Sequence, residues 1–190
     1  MPPFRCAWSL LSRPDAAWDT IAGEQIDLVN LLRRWILPLS LIAPVGLTIG
    51  ATFFDREWNA KLGYAVLPCQ IFPAALTTFV ASILAVFMLA GVFSWIAPLF
   101  GTKRAFNAAL KVAVFGAVPV WAAGALLFLM PMIIAVMIAF FYSCYLYYIG
   151  VVKILGVAEE QAAEFVAISM LFMSLGLMLT GAVGGWIGVL

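Results

Sequence analysis

Glu159, Glu160 and Glu164 form the densest cluster of carboxylates in this chain, and a carboxylate cluster is where acid–base or cation chemistry would start. The partners for such chemistry are missing. The 190 residues contain no histidine, the commonest general base and metal ligand. The three glutamates open a long apolar stretch, where carboxylates favour the positive end of a helix dipole, so their role reads as structural. The nucleophiles read the same way. Cys6, Cys69 and Cys144 are far apart, lack any metal or redox spacing, and suit buried or interfacial positions as small apolar residues. Ser40, Ser82, Ser94, Ser143, Ser169 and Ser174 have no base in a recognisable arrangement and fit interhelical hydrogen bonds. Tyr142, Tyr145, Tyr147 and Tyr148 gather within one apolar block, as an aromatic belt at a membrane interface does. The residues therefore predict no catalytic group, no cofactor and no metal.

The elements that must position these residues are membrane helices. Lys111 and Lys153 enclose 41 residues without Asp, Glu, Lys, Arg or His. One crossing needs only about 20 apolar residues, so this run must cross twice. Composition agrees: 66% of the residues are hydrophobic, 10% are charged, and the mean hydropathy is +1.12, which no soluble domain carries on its surface. The net charge of +1 gives no reason to expect a nucleic-acid partner. Residues 1–30 mix Trp, Asp and Glu and do not read as a cleavable signal.

The chain is expected to be all-α, a polytopic bundle of five transmembrane helices at about 33–54, 71–99, 108–130, 131–155 and 161–188. Pro131 divides the uncharged run, because proline suits a helix start and cannot continue an earlier helix. Gly156 should cap the fourth span. Residues 1–32 form a cytoplasmic or interfacial segment. Within it, Pro14 with Asp15 and Asp19 marks a helix start, and Trp18, Ile21, Leu28, Leu32 and Trp35 recur at helical spacing. That amphipathic helix would either lie on the membrane or pack on the bundle, with Ala22-Gly23 a possible bend.

Eight cationic residues, Arg5, Arg13, Arg33, Arg34, Lys103, Arg104, Lys111 and Lys153, fall on one side of this topology, and only Arg56 and Lys61 on the other. The positive-inside rule then makes the amino terminus cytoplasmic and places the carboxyl terminus outside. Small residues four apart supply candidate packing grooves at Gly46 and Gly50, at Ala135 and Ala139, and at Gly181 with Gly185 and Gly184 with Gly188. Such grooves serve contacts within the chain or with a partner.

Three segments carry a resemblance to a known family. Pro14-Asp-Ala-Ala-Trp18 through Glu24, Phe100-Gly101-Thr-Lys103-Arg104-Ala-Phe106 followed by Pro119-Val-Trp121, and Tyr145-Leu-Tyr-Tyr148-Ile-Gly150 followed by Lys153 resemble, in order and spacing, the bacterial branch of the Yip family of Ypt/Rab-interacting membrane proteins. The resemblance implies five spans, a cytoplasmic amino terminus and, in a bacterium, residence in the cytoplasmic (inner) membrane. In eukaryotic relatives it implies prenylated Rab-type GTPases as partners. The acidic region with an Asp-Leu-Tyr-Gly-Pro signature is missing here, which argues against that partner.

Trp18, Glu24, Lys103, Arg104, Tyr145, Tyr148, Lys153, Glu159 and Glu160 are then the candidates for interactions at the cytoplasmic face. The expected function is a non-catalytic scaffold or accessory subunit that contacts membrane lipids and another integral membrane protein or a second copy of itself. A small transporter or lipid-handling protein is the alternative, because Pro44 and Pro119 would bend spans and Thr48, Thr52, Thr77 and Thr78 could line a polar path.

Overall fold

A computed structural model describes residues 3–24, 26–53, 68–103, 105–124 and 133–189. These are helical, with no strand among the described residues. In chain order they form α1 (Pro3–Ser12), α2 (Pro14–Gly23), α3 (Leu28–Leu31), a π turn (Leu32–Ile36), α4 (Leu37–Ser40), α5 (Ile42–Phe53), α6 (Pro68–Ile96), a 3-10 turn (Ala97–Phe100), α7 (Phe106–Gly116), α8 (Val118–Gly124), α9 (Ile133–Gly150), a second π turn (Val151–Leu155) and α10 (Glu159–Val189).

Four segments among the described residues are long and apolar enough to cross a membrane: Leu28–Ile49, Ile71–Phe100, Phe106–Gly124 and Ile134–Leu155. Of the third, 67% is buried inside the protein, against 33–39% of the others, which makes α7–α8 the central strut. Every residue from Val112 to Pro119 is buried, so the strut is covered on all sides. Ala109, Val112, Ala113 and Val114 are all fully buried, and their short side chains let α6 and α9 close on the strut from either side. Phe115 fills the space beneath Trp35, with ring centroids 4.7 Å apart. Phe93 of α6 lies 5.6 Å from both Tyr147 of α9 and Phe165 of α10, tying three helices at one point.

The helices are interrupted just ahead of both prolines. α7 stops at Gly116 and α8 restarts at Val118, since Pro119 has no N–H to offer and its ring disfavours a continuous turn. The chain also turns at Leu41, just ahead of Pro44. Gly156 ends the second π turn with φ 72°, and Gly101 ends the 3-10 turn with φ 73°; both positions are left-handed and favour glycine.

The amino-terminal segment departs from the expected single amphipathic helix. Instead it is two helices, α1 and α2, separated from α3 by a non-helical stretch after Gly23. The helix at Pro3–Ser12 was not among the expected elements, although its own residues are amphipathic. Trp18 and Ile21 face inward at 0% and 2% exposure, so this face packs on the bundle. The long apolar side chains left exposed in this segment include Trp8 and Leu11 on α1. The division at Pro131 lies outside the described residues, as do Asp55, Arg56, Lys61 and Arg104.

Candidate functional site

The polar contacts between distant parts of the chain concentrate where α1 and α2 meet α7, α9 and the second π turn. Trp18 is the wedge. Its indole inserts between α7 and α9, edge-on to Phe115 at 6.4 Å between ring centroids, and its ring rests against the bare backbone of Gly150. A β-carbon on residue 150 would stand 2.8 Å from Cη2 of Trp18, so no larger side chain fits without displacement. The indole Nε1 has no hydrogen-bond partner, and packing alone holds the ring.

Two lysines fasten α2 around this wedge. Lys111 donates from Nζ to the carbonyl of Ile21 at 3.4 Å and to the carbonyl of Glu24, covering acceptors that the end of α2 leaves unpaired. Lys153 donates to the carbonyl of Asp15 at 2.9 Å and to the carboxylate of Asp19 at 2.7 Å. A second carboxylate, that of Asp15, lies 3.7 Å away. Lys153 sits in the π turn, where the extra residue per turn rotates the side chain relative to a regular α9. On the far side of α9, Tyr142 donates its hydroxyl between the carbonyls of Leu10 and Leu11, both at 3.1 Å, and thereby ties down the end of α1.

Cys6 lies buried on α1, and burial, reinforced by the nearby Glu24 carboxylate, pushes its thiol up to about 11. A thiol held that high is protonated at physiological pH and is a poor nucleophile.

The sequence candidates divide into three groups. Trp18, Glu24 and Lys153 meet in this cap. Lys103, Tyr145, Glu159 and Glu160 are exposed and Tyr148 is half-buried, with the two glutamates in the first turn of α10. Gly46 is buried, Ala135 and Ala139 are half-buried, and the surroundings of Gly50, Gly181, Gly184, Gly185 and Gly188 lie outside the described residues. Close helix approach occurs at Gly124, against Ala43, and at Gly116, beneath the ring of Tyr147. Lys111, Tyr142 and Gly150 complete the cap without having been singled out as contacts. The enclosing role of Lys111 and Lys153 around the uncharged run was the one available signal for them.

The described threonines of the alternative reading bond within their own helices. Thr48, Thr77 and Thr78 each donate to the carbonyl four residues back, at 2.8 Å. Such bonds satisfy a hydroxyl within its own helix. Thr52 lies outside the described side chains. Between α5, α6, α8, α9 and α10 there is nevertheless a cavity of about 350 Å³, lined by residues that include Trp121, Ser143 and Met173.

A family model described as Yip1 domain matches residues 8–182, from within α1 to within α10. The chain belongs to the Yip1 domain family. No curated protein and no solved structure matches it. The Yip1 match takes in the whole cap apart from Cys6, so α2, the α7 lysine and the π turn at Lys153 are parts of the family domain.

Proposed function

We propose that this integral membrane protein is a non-catalytic scaffold or accessory subunit that binds another integral membrane protein or a second copy of itself. The observation that carries the reading is how the cap uses its polar groups: Lys111, Lys153 and Tyr142 all spend their donors on backbone or carboxylate oxygens of α1 and α2. That chemistry builds a fixed platform. Around it, Lys103, Glu159 and Glu160 remain exposed for a partner, and Phe72, Leu84, Ile138 and Leu171 offer apolar surface to lipid or to a neighbouring span.

The topology in this proposal has five crossings, with α10 as the fifth, a cytoplasmic amino terminus and an outer carboxyl terminus in a bacterial inner membrane. The eight-to-two division of cationic residues and the 31-residue length of α10 support it. Extraction in a mild detergent followed by native mass measurement should give a stoichiometric complex or oligomer, lost on reversing the charges of Glu159 and Glu160 in a protein that still folds. A partnerless monomer from native membranes refutes the proposal.

A small transporter or lipid-handling protein is the second reading, and the cavity favours it. Reconstituted vesicles with no solute flux or lipid movement above empty controls would remove it.

A further inference from the structure

We propose that the cavity between α5, α6, α8, α9 and α10 is a binding site for a neutral, single-chain lipid that bears one oxygen acceptor, with Ser143 as its hydrogen-bond donor. The site shares its cavity with the lipid-handling reading but needs neither transport nor a protein partner, so absence of flux leaves it standing and absence of binding does not.

Four observations lead there. The volume of about 350 Å³ falls in the range of ligand sites and holds a chain of roughly a dozen carbon-sized groups, at about 30 Å³ each. Among the described residues no Asp, Glu, Lys or Arg lines it, so a charged ligand would meet no counter-ion there and would enter at high desolvation cost. Two of its lining residues, Val120 and Phe140, are also exposed on the apolar flank, so the opening faces hydrocarbon and admits a molecule already dissolved in the bilayer.

The fourth observation selects the oxygen. Ser143 is 2% exposed, lines the cavity, and its Oγ has no hydrogen-bond partner. Ser82, Thr78 and Ser169 each bond the carbonyl four residues back, and Ser40 bonds the one three back. Ser143 has the same local option and does not take it. A buried hydroxyl left unpaired is costly, and an acceptor in the neighbouring cavity relieves that cost. Trp121 and Tyr147 supply aromatic walls for the apolar body of the ligand.

The test uses the full chain released from nanodiscs of a double-chain phospholipid into a native mass spectrometer, with 1-dodecanol, 2-dodecanone and dodecane as separate probes. The expected result is a one-to-one adduct with each. The alcohol and the ketone should half-saturate at roughly three- to tenfold lower concentration than the alkane, the factor one hydrogen bond supplies. Ser143→Ala should bring all three probes to the alkane value while still binding dodecane, which also shows that the variant is folded. Ala85→Phe, which fills the space from α6, should weaken all three. Absence of any adduct, equal binding of the three probes, or full binding by Ala85→Phe overturns the site. Binding of the alcohol but not the ketone overturns Ser143 as the donor.

Discussion

Gly150 and Trp18 meet at a distance that leaves no room for a β-carbon, 132 residues apart in the chain. The absence of a side chain on α9 lets an indole from the amino-terminal segment sit between two spans. Gly150→Ala should therefore destabilise the protein by about 1–3 kcal/mol through overpacking, and Trp18→Ala by about 3–5 kcal/mol through the void it leaves. Thermal unfolding in detergent measures both. Combining Gly150→Ala with Trp18→Leu should cost less than the sum of the single changes, and strict additivity would deny the contact.

The Lys153–Asp19 pair is half in solvent, and its contribution should be small. Asp19→Asn is expected to cost less than about 1 kcal/mol, with the loss fading at high salt. Lys153→Met should cost more, because the carbonyl of Asp15 also loses its donor. Unfolding midpoints of the two variants at low and high salt give the comparison.

Tyr142→Phe removes only the hydroxyl that holds the carbonyls of Leu10 and Leu11. The global cost should be about 0.5–1.5 kcal/mol, while α1 loosens locally. Chymotrypsin cleavage after the exposed Trp8 on α1 should accelerate several-fold in the variant, and an unchanged rate would show that Tyr142 does not fasten α1.

Cys6 should resist alkylation. With the thiol pushed up to about 11, the thiolate fraction near pH 8 is about 0.1%, and the rate should climb about tenfold per pH unit until the thiol titrates. Because the folded value lies above the ordinary 9.0, the stability this thiol contributes is complete below pH 9.0 and is lost as pH rises toward about 11. Labelling of a variant with Cys69 and Cys144 changed to Ser, in mild detergent and after denaturation, checks the rate. Equal rates in the two states would place Cys6 at the surface.

How much of this was legible follows from which interactions are local. The uncharged run between Lys111 and Lys153 announced membrane helices because apolar length is a property of consecutive residues. Gly156 as a cap and Pro44 and Pro119 as bends were equally readable, since each acts on its own turn. The amphipathic reading of residues 14–35 placed Trp18, Ile21 and Trp35 inward correctly but also Leu28, which is exposed, and it drew one helix with a possible bend at Ala22-Gly23 where the chain breaks after Gly23.

By itself, then, the sequence determined a helical membrane protein of the Yip1 type. Only the tertiary structure decided that Lys111 and Lys153 meet α2, that Trp18 seats on Gly150, and that Ser143 is left unpaired beside a cavity. The physical reason lies in the spans themselves. α6, α9 and α10 beyond its first turns are almost uniformly apolar, so no periodic contrast in their sequences says which face turns inward, and that choice rests on packing between residues tens to more than a hundred positions apart.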